Sequence, residues 1–208
     1  LLDASLDPDT IARAGQIIAR EPAVLEIRSV VGRNAGRYRF LEAVVEARVR
    51  ELEQADALSR RLERALRAEI PFLERTLVDV RPAHKEVVRL ALPLADPTGP
   101  PSTRFGMAPH FLLADRRRAD GATVWRSVVY NPHAGEPRGR GIKVARWLLD
   151  HRIDVLVTRD DIGERGPGYA LGEAGVTVVL TAAATVDAAL AAGGAALEQT
   201  SEPGAAEA

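Results

Sequence analysis

Cysteine is absent from these 208 residues. That removes disulfides, thiolate-held zinc, protein-held iron–sulfur clusters and thiol nucleophiles from the chemistry open to the chain. Any metal must be held by carboxylates and by the four histidines, His84, His110, His133 and His151. The most concentrated signal elsewhere is Gly163-Glu164-Arg165-Gly166-Pro167-Gly168, which follows the apolar run Val155-Leu156-Val157. Open α/β sheets place ligands at the carboxyl ends of buried strands, but the same Gly-x-x-Gly-x-Gly spacing also serves a sharp turn. Asp160 and Asp161 sit just before it. A two-metal phosphoryl-transfer site would need further carboxylates on the sheet, and the first strand, VVRLALPL, carries none. Neither a nucleophile elbow nor a zinc-binding helix motif occurs, so no enzymatic activity is expected.

Charge narrows the partners. Lys and Arg number 28 against 29 Asp and Glu, a net charge of −1, without the basic excess that neutralises phosphates in nucleic-acid binders. Arg116-Arg117-Arg118 reads as a wet hairpin tip, and His151 as a residue near a helix C-terminus, where the dipole favours a cation. No run reaches the roughly 18 uncharged apolar residues needed to span a bilayer.

The elements that must position these residues fall into two sets. In the first, Asp7-Pro8-Asp9 opens a helix to about Arg20. Val24 to Val31 gives a strand closed by a Gly32–Gly36 loop, and Leu41, Ala43, Val45, Ala47 and Val49 alternate with charged residues along a return strand. Leu58, Leu62, Leu66 and Ile70 line a second helix, and Thr76 to Val80 forms a third strand. The order α, β, β, α, β predicts a ferredoxin-like module, helices on one face of a three-stranded sheet. In the second set Glu86–Leu94, Phe111–Asp115, Thr123–Tyr130, Ile153–Val157 and Val176–Leu180 read as strands, with a helix through Ile142, Ala145, Leu148 and Leu149. Continuous apolar runs in the last two strands argue parallel pairing with both faces covered. The fold class is therefore α+β followed by α/β, the second part a mixed five-stranded sheet with helices, ribonuclease H-like in outline. The expected domains are residues 1–84 and 85–197, with a disordered tail at 198–208.

The opening LLDASLDPDT, the strand pair EIRSVVGRNAGRYRFLEAVVEARV and the close TLVDVRP resemble the cytosolic C-terminal domain of cation diffusion facilitator transporters, over most of Leu1 to Pro82. The resemblance implies a dimerising, metal-responsive module whose ligands are mainly histidines. At those positions this chain has Val44, Asp56 and Asp79, and Arg81 stands where the family has an aspartate. Asp56 and Asp79, with His84 nearby, are the remaining candidates for a divalent cation such as zinc, iron or manganese, though carboxylates alone bind zinc weakly. The bland alternatives are a helix cap for Asp56 and a solvated strand end for Asp79. The resemblance also implies a homodimer through the first domain and a membrane-embedded transporter domain upstream of Leu1. This chain would be a soluble fragment at the cytoplasmic face of the inner (cell) membrane, which fits a start at Leu1 without methionine.

A second set of segments, RFGMAPHFLLAD, NPHAGEPRGRGIKVARWLL, IDVLVT, GPGYALGEAGVTVVL and TVDAALAA, is similar to the dinitrogenase iron-molybdenum cofactor-binding family and covers nearly all of the second domain. Members carry or insert metal-cluster precursors. Where that family often has histidine before Phe-Gly, this chain has Arg104, which suits an anion. The candidate ligand-binding residues are Arg104, Phe105, Gly106, His110, His133, Gly163, Gly166 and Gly168. Together the resemblances imply the regulatory region of a cation efflux transporter with an appended ligand- or cofactor-binding domain. The alternative is a free-standing carrier of iron–sulfur or iron-molybdenum cofactor precursors.

Overall fold

A computed structural model describes residues 4–49 and 51–199 and divides into two compact units, Leu1–His84 and Lys85–Ala208. In the first unit a two-residue strand β1 (Ala4–Ser5) precedes helix α1 (Pro8–Ala19). The carboxylate of Asp7 caps α1, accepting from the Thr10 backbone N–H and hydroxyl, each at 2.8 Å. Strands β2 (Val24–Ala35) and β3 (Tyr38–Ala47) pair antiparallel, helix α2 (Leu52–Glu69) follows, and β4 (Leu73–Pro82) returns parallel to β3. The sheet order is β1-β2-β3-β4, so β1 adds a short fourth strand to the three expected. Leu41, Ala43, Val45 and Ala47 alternate inward and form the core with Ala14, Ile17 and Ile18 of α1 and Leu58, Leu62 and Leu66 of α2.

One boundary differs from expectation. Gly32 to Ala35 continue β2 in register opposite Leu41 to Tyr38, and the hairpin turns at Gly36, φ 63°. Gly32 is needed for close packing: a Cβ there would strike the Leu6 side chain and lie 2.6 Å from the Phe40 carbonyl oxygen.

The second unit is built on a five-stranded sheet. Its elements are β5 (Val87–Leu94), β6 (His110–Arg117), β7 (Thr123–Tyr130), α3 (Arg140–Asp150), β8 (Val155–Thr158), α4 (Gly166–Glu173), β9 (Thr177–Leu180) and α5 (Val186–Gln199). The order is β7-β6-β5-β8-β9, with β5, β8 and β9 parallel and β6 and β7 antiparallel to their neighbours. Alternation along the central strands feeds two cores. Ala91, Phe111, Leu113 and Leu156 face α3 and α4, whereas Leu90, Leu92, Leu112, Val155 and Val157 face α5. The expected tail from residue 198 lies outside the described residues, apart from 198 and 199, which end α5.

Candidate functional site

Three segments of the second unit meet at the carboxyl ends of β5 and β8. After β5 the chain folds back, Leu94 bridging Pro101 and Ser102 N donating to Pro93 O at 2.8 Å, and so delivers the Arg104-Phe105-Gly106 segment to this edge. The Phe105 ring is buried edge-on to Phe111, centroids 5.9 Å apart. Its backbone N–H donates to Asp160 Oδ2 at 3.1 Å, and Asp160 Oδ1 accepts from Arg165 Nη1 at 3.3 Å. One carboxylate therefore ties the Phe-Gly segment to the glycine-rich segment. Arg104 itself is exposed, its guanidinium 3.2 Å from Met107 Sδ.

The glycines admit the helices. A Cβ on Gly106 would come within 3.6 Å of the Arg140 side chain and Gly141, at the start of α3. One on Gly141 would lie 3.1 Å from Pro167, and one on Gly166 3.0 Å from Ile142, so the N-termini of α3 and α4 adjoin. Gly168 is the most constrained, since any Cβ would land on the Ile162 carbonyl and within 2.6 Å of that of Gly163. Gly166 and Gly168 lie inside the first turn of α4, so only Gly163 belongs to the loop, where its N–H donates to Asp161 Oδ1 at 3.1 Å. Neither helix has a side-chain cap or an acidic residue in its first turn; the cap positions are Gly139, at φ 64°, and Arg165. The positive ends of two helix dipoles lie at this edge with exposed Arg104, with Arg140, whose Nε donates to Glu136 O at 2.8 Å, and with Arg165, paired to Asp160.

The two candidate histidines differ. His110 opens β6 opposite Leu94 and Tyr130, its ring edge-on to Tyr130 at 5.8 Å, and its Nδ1 is buried without a hydrogen-bond partner. His133 donates its backbone N–H to Asn131 Oδ1 at 3.0 Å and holds Nδ1 3.8 Å from Glu136 Oε1. Lys143, 2.9 Å away, and then His133 keep the Glu136 carboxyl below the usual carboxylate range.

At the opposite end of the parallel strands lies a polar cluster of a different kind. Arg89 binds Asp115 through two hydrogen bonds, 2.7 and 2.8 Å, donates to His151 O and lies over the Trp125 ring. The carboxylate of Asp115 raises the Arg89 pKa above its ordinary value. Buried Asp154 accepts from Lys85 Nζ at 2.7 Å and from Arg89 N at 2.9 Å. His151 caps α3, its Nδ1 2.9 Å from Trp147 O. Arg116 is half-buried and binds the carbonyls of Gly121 and Leu190, so only Arg117 and Arg118 make the wet tip expected of all three.

In the first unit Asp56 lies in the second turn of α2, exposed, and is not the cap; that position is Glu51. Asp79 is exposed in β4 opposite Val44 and pairs with Arg81, Nε to Oδ2 2.9 Å. His84 is exposed after β4. Among the described residues no group of three His, Asp or Glu side chains could hold a metal ion.

Residues 86–195, more than half the chain, match the family described as Dinitrogenase iron-molybdenum cofactor. The chain belongs to that family. Residues 6–83 match a second one, Cation efflux protein, cytoplasmic domain. Among solved structures, a MamM C-terminal domain with two substitutions is similar at 17% identity, covering 37% of this chain and 94% of that one with a TM-score of 0.35. The cadmium form of a single-substitution MamM C-terminal domain matches at 18% identity, 37% and 98% coverage and TM-score 0.35. None of the curated proteins compared matches the chain.

The residues do not fit a centre that ligates an iron-molybdenum cofactor through several protein donors. The chain has no thiolate, Arg104 is a cation, and of the two imidazoles only His110 has an unbonded buried nitrogen. Sequence reading weighs Asp160 only as a metal-binding carboxylate and passes over Arg140, because their contacts join segments far apart in the chain, 55 positions for Asp160 and Phe105.

Proposed function

We propose that the chain is the regulatory and dimerising region of a cation efflux transporter, on the cytoplasmic side of its membrane, with an appended non-catalytic receptor for a small anionic ligand. The observation that carries this reading is that matches to a cation efflux cytoplasmic domain and to a cofactor-binding family adjoin in one chain, at residues 6–83 and 86–195. Residues 1–84 pair two copies, and residues 85–197 fold as a separate domain. The first domain responds weakly to metal, since Asp79 is engaged by Arg81 and no group of three His, Asp or Glu side chains among the described residues could hold an ion.

For the second domain the supporting features are the two uncapped helix N-termini and the guanidinium groups of Arg104 and Arg165. A metal–sulfur precursor that arrives with its own sulfide ligands and a negative charge belongs to this class of ligand, and needs neutralising charge more than protein donors. We assign His110 as the imidazole facing it. Tetrathiomolybdate, a small metal–sulfide dianion, is the probe. The full chain should retain it through gel filtration, and Arg104→Gln with Arg165→Gln should lose most of that retention. Equal retention by the double variant would overturn the anion site. Membrane helices read in frame before Leu1 would support the transporter setting, and a start codon close to Leu1 would remove it.

A further inference from the structure

The four outer strands of the two sheets are defended unequally. β1 is two residues long and β9 four. β4 carries Glu74, Arg75, Asp79 and Arg81 and ends on Pro82. Shortness, charge and proline all discourage another strand from pairing with the unsatisfied N–H and C=O groups of an edge. β7 has the fewest of these protections. It runs eight residues, TVWRSVVY, with one charged side chain, Arg126, and no buried residue. Trp125, Val128 and Tyr130 are 45%, 39% and 66% exposed. The cluster under α5 draws on β5, β6 and β8 and includes no residue of β7.

We infer that β7 pairs antiparallel with β7 of a second copy of this chain, joining two five-stranded sheets across a two-fold axis. Such an axis brings residues of like parity opposite one another, because opposed side chains in an antiparallel pair share a face. Centred on Ser127, the pairing sets Trp125 against Val129 and Arg126 against Val128, and Tyr130 reaches Val124 at the bulged end of the strand. Centring on Arg126 would oppose two like charges. Centring on Val128 would carry Trp125 past the end of the partner strand. Of these registers, the one centred on Ser127 pairs the most of the strand while its only charge never meets its own copy. A strand from an unrelated protein would have no such register built in.

The absence of cysteine makes the test clean. Directly opposed residues in an antiparallel pair have Cα atoms about 4.5–5.5 Å apart, inside the range a disulfide spans. In the full chain, Ser127→Cys oxidised with glutathione disulfide should form a covalent dimer about tenfold faster than Ala119→Cys on the exposed hairpin tip, because pairing makes the encounter intramolecular. Adding Val128→Lys, which would face Arg126, should bring the rate down to that of Ala119→Cys. A dimer held only through residues 1–84 raises both rates and leaves their ratio near one. Equal rates for folded Ser127→Cys and Ala119→Cys would overturn the inference and leave the edge to another protein or to the terminal segment of the chain.

Discussion

Gly168 and Gly172 are four residues apart in α4, and their environments differ. A Cβ on Gly168 meets two carbonyl oxygens, whereas one on Gly172 meets nothing within 4 Å. Gly168→Ala should therefore destabilise the second unit by about 1–3 kcal/mol through overpacking. Gly172→Ala should stabilise it by up to about 1 kcal/mol, since alanine costs less entropy in a helix. Denaturant midpoints followed by tryptophan fluorescence would separate the two signs. The sequence shows that glycines cluster here but not which is indispensable, because that depends on the Ile162 carbonyl. Asp7 gives a pH test. Its hydrogen bonds from Thr10 lower its pKa, so the stability it contributes is present above the ordinary carboxylate value of about 3.9 and is lost as pH falls through the lower folded value. Asp7→Asn keeps a capping oxygen that does not titrate. The stability difference between wild type and Asp7→Asn should be flat above about pH 5 and shift against wild type towards about pH 2.

At the scale of elements, strand and helix identities follow from periodicity, because Leu41 to Ala47 alternate and Leu58, Leu62 and Leu66 recur at helical spacing. Strand ends are less legible. Gly32 to Ala35 look like a loop by composition, yet they pair across to β3 because Gly32 lets Leu6 and the Phe40 carbonyl pack against it. The candidate metal residues show the same gap. Asp79 is on the strand expected, and Arg81, two positions on, shares its face as strand periodicity requires, but spacing alone does not give the 2.9 Å bond by which Arg81 occupies the carboxylate. A guanidinium at 2.9 Å competes with an arriving cation and repels it. Zinc titrated into the full chain should give weak heats, and Asp79→Ala should leave the isotherm unchanged. A tight site lost in Asp79→Ala would show that the carboxylates do converge on the ion.

For the whole molecule, the decisive feature is that each unit carries its own core. Leu66 is fully buried in the core of the first unit with Ile18, Leu58 and Leu62, and both other apolar clusters are drawn wholly from residues beyond Lys85. The sequence shows two segments, each with a complete apolar periodicity and each longer than the roughly 40 residues below which extra staples are needed, and that is the ground for expecting two folding domains. The tryptophans make this testable in the intact chain, because Trp125 and Trp147 both lie in the second unit, whereas far-UV dichroism reports both units. Leu66→Ala removes a fully buried side chain, and such truncations cost about 2–5 kcal/mol. That loss should lower the dichroism transition of the first unit. If the domains fold separately, the tryptophan transition stays where it is in the wild type, because both tryptophans belong to the second unit and the cavity to the core of the first. A tryptophan midpoint that moves in step with the dichroism would mean the two units unfold as one cooperative body, and the division near Lys85 would then be architectural only.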